Sequence, residues 1–329
     1  MKPVKWGILS TAKIAVEHLI PAIRESKTGT VHAIASRDAQ KAEEVAGKMN
    51  IPFSYGSYEK LLADESIDAI YNPLPNHLHV PWTIKAMEAG KHVLCEKPIA
   101  LDSSEAESLL QKTRDFPDLK IMEAFMYRFH PQWEEVRSLI SKGEIGTLES
   151  IHSVFTYYND DPENIRNWPH MGGGGLMDIG CYCISVSRFL FGKEPDRVYG
   201  NLDIDPAFGV DRKAFGILTF GDKTSTFTCS TKIESYQRVM IFGSDGLIEV
   251  EKPFNPQGND TAHLYLTKNG ECKMIETEAV DQYRLQVDAF NHSILNDRSV
   301  ATPLEDAVAN MKVIDAVFKS GEEGVDKLV

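Results

Sequence analysis

The sequence predicts an α/β chain in two parts: an N-terminal parallel sheet built from βαβ units, then an α+β part on a large, mainly antiparallel sheet. Three observations carry this. The length of 329 residues corresponds to about two domains at roughly 150 residues each. The first 120 residues alternate short β-rich runs with helical patterns, as βαβ units do. After residue 123 the texture changes to alternating segments joined by Gly, Asp and Asn.

In order, runs rich in Val, Ile and Leu at 4–9, 31–36, 69–72, 92–96 and 120–123 read as strands. Segments 15–26, 39–49, 58–63, 79–89 and 103–113 between them read as helices. Gly90 follows one of these as a C-terminal stop, and Asp102 or Ser103 precedes another as an N-cap. Pro21 should kink or end the straight part of the first helix. Beyond the boundary, 131–142 and 176–191 read as helices. Strands follow at 214–220, 225–232, 238–242, 247–251 and 263–267, with turns at Gly221-Asp222 and Ser244-Asp245-Gly246. Two helical patterns, 282–295 and 303–319, close the chain. The expected domains are therefore 1–122 and 123–329.

Composition removes several classes of function. With 42% hydrophobic and 25% charged residues the chain resembles a globular protein, not a disordered or fibrous one. A net charge of −13 opposes a phosphate-tracking surface, so no nucleic-acid partner is expected. The longest apolar runs, such as 184–191, fall far short of a bilayer span, so no membrane partner is expected. The first ten residues lack the apolar core of an export signal. Five cysteines, Cys95, Cys181, Cys183, Cys229 and Cys272, show no CxxC spacing. Reduced thiols and a cytoplasmic setting follow as expectations. Ten histidines without an HExxH pattern give no metal site.

The first strand runs into Ser10-Thr11-Ala12-Lys13-Ile14-Ala15, where a dinucleotide fold places its phosphate turn and first helix N-terminus. The three glycine positions of GxGxxG fall on Ser10, Ala12 and Ala15, so a phosphate turn and an ordinary strand-to-helix turn both remain open. Free N–H groups at a helix start matter more than glycine itself. The second strand ends in Ser36-Arg37, with Lys41 one helical turn later. An NAD site wants an acid at that tip for the ribose 2′-hydroxyl, whereas a 2′-phosphate wants a small hydroxyl and cations. Ser36, Arg37 and Lys41 therefore favour NADP, with NAD as the alternative.

Further blocks are Leu74-Pro-Asn76-His-Leu-His79, Gly90-Lys-His-Val-Leu-Cys-Glu96-Lys97-Pro98 and Gly173-Gly-Gly-Leu-Met-Asp178-Ile-Gly-Cys-Tyr182. In order and spacing, and over essentially the whole chain, these blocks resemble the Gfo/Idh/MocA oxidoreductases. The segment 122–131 with Asp178 and Tyr182 is most similar to the dihydrodiol dehydrogenase and NADP-dependent D-xylose dehydrogenase branch. The resemblance implies a Rossmann domain, an open-faced sheet in the second domain, a cis Lys97-Pro98 bond and dimerisation through the exposed sheet face. It also implies that Leu74, Asn76, His79 and Glu96 border the cofactor.

Lys97 stands at the C-terminal edge of the parallel sheet, where ligands of open α/β folds collect. Asp178 and Tyr182 lie four apart at the start of an apolar helix, on one face and about 6 Å apart along the axis. Moving hydride to or from a carbinol carbon also requires moving a proton at its oxygen, and a tyrosine beside an ammonium has its phenolate form favoured. Lys97, Asp178 and Tyr182 are thus the expected catalytic set, with Asp178 orienting Lys97. Much of the resembled family carries histidine where Tyr182 stands.

Arg166 and Trp168 precede the glycine run and are expected to touch cofactor or substrate, while Arg128 and His130 are candidate substrate contacts. The expected activity is hydride transfer between NADP and a hydroxyl-bearing carbon of a sugar, such as an aldose, or of a cyclic diol. The rival is a dinucleotide-sensing regulatory protein of the same fold, which has no need of the three catalytic candidates together. A homodimer or higher homo-oligomer is expected.

Overall fold

The computed structural model describes residues 2–256, 258 and 261–329. The chain divides into two compact units, Met1–Met126 with Gln282–Val308, and Tyr127–Asp281 with Ala309–Val329.

The first unit opens with β1 (Val4–Leu9), a π-helical turn at Ala15–Leu19 and α1 (Ile20–Glu25). Pro21 sits in the first turn of α1, directly after the π winding, where a residue without an N–H interrupts the helical ladder. The break expected at Pro21 takes the form of this change from π to α winding. β2 (Gly29–Ala35), α2 (Ala39–Lys48), β3 (Phe53–Tyr55), α3 (Tyr58–Leu62), β4 (Ala69–Asn72), α4 (His79–Glu88), β5 (His92–Cys95), α5 (Ser103–Thr113) and β6 (Ile121–Glu123) follow. The three-residue β3 shows no apolar run in the sequence and was not expected; its Phe53 is 49% exposed. Asp102 caps α5 by accepting from the Glu105 N–H at 2.8 Å, and Gly90 takes φ 73° after α4, a conformation without a Cβ penalty. The six strands pair in parallel in the order β3-β2-β1-β4-β5-β6, so their C-terminal ends share one edge.

The second unit begins with α6 (Pro131–Ser141) and β7 (Leu148–Tyr158). No strand was expected at β7, although Ile151, Ser153 and Phe155 are buried at alternate positions, the period of a half-buried strand. A second π turn, Leu176–Gly180, leads into α7 (Cys181–Phe191). Every residue from Leu176 to Arg188 is buried, because the helix lies against β7 and the later strand β10. Gly180 makes the approach possible, since a Cβ there would stand 2.9 Å from Cys229 Sγ. Strands β8 (Arg197–Ile204), β9 (Asp211–Phe220), β10 (Lys223–Ser230), β11 (Lys232–Gly243), β12 (Gly246–Val250), β13 (Ala262–Lys268) and β14 (Glu271–Thr277) complete the run.

Helix α8 (Gln282–Leu295) returns the chain to the first unit. There Asn291 Oδ1 accepts from the buried Trp6 indole at 3.0 Å, and Phe290 meets the same ring at 5.6 Å between centroids. Helix α9 (Leu304–Glu323) and β15 (Lys327–Leu328) end the chain. The second sheet has the order β14-β13-β12-β11-β7-β10-β9-β8-β15. Among the described residues of this sheet, only β7 and β10 pair in parallel. One face carries α7. On the other, alternate residues such as Phe215, Thr226, His152 and Met240 remain wholly or partly exposed.

Candidate active site

The first-unit residues expected to hold a dinucleotide follow the C-terminal ends of the parallel strands. After β1, Ser10 takes φ 79°, the left-handed conformation that favours glycine. Its N–H donates to Ala35 O at 2.9 Å, and its Oγ accepts from the Ala12 N–H at 3.2 Å. Ala12 O then accepts from the N–H groups of Ala15 and Val16, so Thr11 to Ile14 form the entry to the first helix, whose opening N–H groups have no partner within it. The turn thus keeps a glycine-like backbone without glycine.

At the end of β2, Ser36 Oγ accepts from the Asp38 N–H at 3.1 Å. The Asp38 carboxylate is committed to capping α2, accepting from the N–H groups of Gln40 and Lys41 at 3.0 and 3.2 Å. Arg37 and Lys41 are both exposed. Burial raises the pKa of the Tyr58 phenol, and the neighbouring Arg37 partly offsets this.

Beyond β4, Asn72 braces the turn through Leu74, accepting from its N–H at 3.4 Å and donating to His79 O at 3.0 Å. His79 itself is 1% exposed, with its two ring nitrogens 2.7 Å from Pro98 O and Leu74 O. Burial pushes its pKa down to about 4, so the ring is neutral at pH 7 and donates to one carbonyl at a time. It ties the Leu74 turn to the Lys97-Pro98 segment. After β5, Glu96 accepts from the Tyr71 hydroxyl at 2.6 Å, and the Lys97-Pro98 bond is cis. Glu123 on β6 is 2% exposed and accepts from the Ile99 N–H at 2.8 Å, anchoring the chain just beyond Pro98. Neither Tyr71 nor Glu123 was expected, since in sequence both read as strand interior.

In the second unit Asp178 lies within the π turn, so Asp178 and Tyr182 are not four apart on a regular α-helix as the spacing suggested. Asp178 Oδ2 accepts from the Tyr157 hydroxyl at 2.6 Å and from Arg166 Nε at 2.8 Å. Tyr182 is 5% exposed, its ring bounded by Tyr127, Phe155 and Phe254 at 5.3 to 5.8 Å. Arg166 lies within electrostatic reach of both Asp178 and Tyr182, and Asp178 raises its pKa further. Arg166, Asp178 and Tyr182 are therefore one cluster, joined by the unexpected Tyr157. Period-2 alternation through β7 was the signal that could have found Tyr157. Asp211 at the start of β9 also escaped notice; its Oδ2 accepts from the Leu176 N–H at 2.6 Å, holding the head of the π turn.

The remaining candidates have internal partners. Trp168 donates to Pro162 O at 2.7 Å and stacks with His170. Arg128 Nη2 donates to Ser185 Oγ at 2.8 Å, and its guanidinium lies over Phe189. His130 is fully buried, where its Nδ1 caps α6 by accepting from the Gln132 N–H. Among the described residues, no group of three or more His, Cys, Asp or Glu is arranged to hold a metal ion. No helix among them is long and apolar enough to cross a membrane.

Two family models match the chain. Residues 4–117 match the oxidoreductase family with an NAD-binding Rossmann fold, and residues 133–249 match the GFO/IDH/MocA C-terminal domain. The chain belongs to the GFO/IDH/MocA oxidoreductase family. It is 38% identical over 324 residues to D-xylose 1-dehydrogenase (NADP(+)) 2 of Haloferax volcanii, covering 97% of this chain and 98% of that one. It is 35% identical over 254 residues to trans-1,2-dihydrobenzene-1,2-diol dehydrogenase of Xenopus laevis, covering 75% and 74%. A 3-ketoreductase from Actinomadura kijaniata, solved with NADP and TDP-benzene, superposes with a TM-score of 0.92 at 28% identity, over 97% of this chain and 98% of that one. This member of the family is an oxidoreductase with a Rossmann domain and a second, mainly antiparallel domain.

Proposed function

We propose that this oxidoreductase uses NADP and acts on a hydroxyl-bearing carbon of a sugar or cyclic diol. The observation that carries the reading is the cluster of Asp178, Arg166 and Tyr182, a phenol set beside an ion pair, where a proton can be exchanged at a substrate oxygen. The NADP xylose dehydrogenase and the dihydrodiol dehydrogenase among its relatives support the substrate classes.

The residues fit a dinucleotide. The Ser10 turn and the helix entry through Thr11, Ala12, Lys13 and Ile14 offer backbone donors to a pyrophosphate. Ser36, Arg37 and Lys41 suit a 2′-phosphate, since Asp38, the nearest acid, is occupied as a cap. Leu74, Asn76 and Glu96 follow the C-terminal ends of strands in the same sheet; Arg166 and Trp168 are the candidate cofactor contacts of the second unit. When bound, NADP supplies the hydride acceptor or donor. In the oxidative direction Tyr182, entering as the phenolate, accepts the hydroxyl proton and becomes the neutral phenol, Lys97 polarises the oxygen and steadies its developing charge, and Asp178 orients the charged set. Arg128 and His130 are kept as candidate substrate contacts, each also having an internal partner. The five free cysteines support a cytoplasmic setting, and the exposed sheet face supports a homodimer.

The test is turnover of a panel of aldoses, inositols and dihydrodiols with NADP and with NAD. Lys97→Ala and Tyr182→Phe should each lower kcat by about 10²- to 10⁴-fold on the accepted substrate. Wild-type rates in both variants would remove the assignment.

A further inference from the structure

We propose that Tyr157 is a positioning residue of this active site, acting through Asp178; the proposal rests on the oxidoreductase reading above. Tyr157 lies near the end of β7, on the strand face it shares with Phe155, whose ring contacts that of Tyr182. Its hydroxyl donates to Asp178 Oδ2 at 2.6 Å, the short distance of a charge-assisted bond. Arg166 Nε, from the 3₁₀ turn Ile165–Asn167, reaches the same oxygen at 2.8 Å. Two donors from separate elements thus meet on one carboxylate oxygen, and Asp178 cannot rotate without breaking both.

The two donors are not equivalent. The Arg166 side chain is 45% exposed, so solvent partly screens its charge. Tyr157 is fixed by a strand, and burial and the Asp178 charge raise its pKa, so it remains a donor throughout the working pH range. The charged and titratable groups around Asp178 within this unit include Arg166, Tyr157, Tyr182 and, more remotely, Asp211. Tyr157 is the neutral donor to this carboxylate, carried on a strand and held protonated. Donors to the charged form of a carboxylate favour that form, so the phenol sets both the orientation and the ionisation of Asp178.

The test is Tyr157→Phe, which keeps the ring and removes the donor. Expected is a fall in kcat of about 10-fold or more, with KM for NADP unchanged and the acid limb of the pH–rate profile moved to higher pH. Tyr158→Phe, at an exposed neighbour whose hydroxyl bonds Asp160, should leave both as in the wild type. A second arm needs no turnover: the ¹³C carboxyl resonance of Asp178, identified by its absence in Asp178→Asn, should titrate at higher pH in Tyr157→Phe. Should the Phe variant not fold, a downfield hydroxyl proton in the wild type that disappears in Asp178→Asn reports the same bond, and its absence overturns the proposal. A lowered kcat with the pH profile and carboxyl titration unmoved would show a packing effect only and overturn it too. If no substrate in the panel is turned over, the functional reading falls, while the carboxyl titration still decides whether Tyr157 holds Asp178.

Discussion

Asp211 is a buried carboxyl, 2% exposed, whose oxygen accepts from the Leu176 N–H at the head of the π turn. Burial is the largest influence on it and, with a contribution from the Asp178 charge, pushes its pKa up from 3.8 to about 7. The folded protein therefore binds this proton more tightly than the unfolded chain does. The resulting stability is fully present below about pH 4 and is lost as the pH rises through about 7. His79 and His130, each pushed down to about 4 by burial, act in the opposite sense, losing stability as the pH falls below 6.5. Comparison with Asp211→Asn isolates the carboxyl: urea unfolding from pH 4 to 8 should show the difference in stability between wild type and variant moving in the wild type's disfavour up to about pH 7 and levelling off above it. A difference independent of pH would mean that Asp211 is ionised throughout.

At the scale of the element, the turn from β1 into the first helix shows how backbone conformation can persist without the residue that usually supplies it. A serine at φ 79° carries a cost of about 1–2 kcal/mol relative to ordinary helical or extended backbone, partly offset by the Ser10–Ala12 hydrogen bond. Glycine would relieve that cost but lose entropy on folding, so Ser10→Gly should keep its melting temperature within about 3 °C of wild type. Ser10→Val, β-branched at positive φ, should melt several degrees lower and bind NADP more weakly. Thermal melts and NADPH fluorescence titration read both; a Val variant as stable as the wild type would contradict the turn. The turn also explains how much was legible here. The strand, the helix start and the position of the turn follow from local apolar pattern, whereas the glycine-like geometry of Ser10 depends on its N–H being fixed to Ala35 on the neighbouring strand. Similarly, the apolar pattern at 176–191 announced a helix, but not that its first turn is π-wound, with Gly180 fitted closely against Cys229.

For the whole molecule, the second sheet leaves an uncovered face on which Phe215 is 37% and Tyr236 51% exposed, beside Met240 and Phe242. Apolar groups grouped on an exposed face mark association surfaces, and a stable interface needs about 1,000 Å² or more in total. Sedimentation velocity should therefore find a dimer for the wild type and a monomer for Phe215→Glu combined with Met240→Glu, with the melting profile of the single chain retained. An unchanged dimer would place the contact elsewhere. The same scale shows why β7 passed unnoticed: it carries Ser150, His152 and Ser153, and becomes an interior strand only because β10 pairs with it in parallel and β11 on its other side.

The sequence by itself determined the α/β class, the series of βαβ units, and the strand tip and helix start that carry Lys97, Asp178 and Tyr182. Strand period, helix caps and motif spacing are written within a few residues of one another and need no distant partner. Only the tertiary structure decided that Asp178 is gripped by Tyr157, 21 residues away, and by Arg166, and that Asp211 secures the turn beneath it from 35 residues beyond Leu176. Such partnerships depend on strand order and register, which bring separate segments together and leave no local pattern from which to read them.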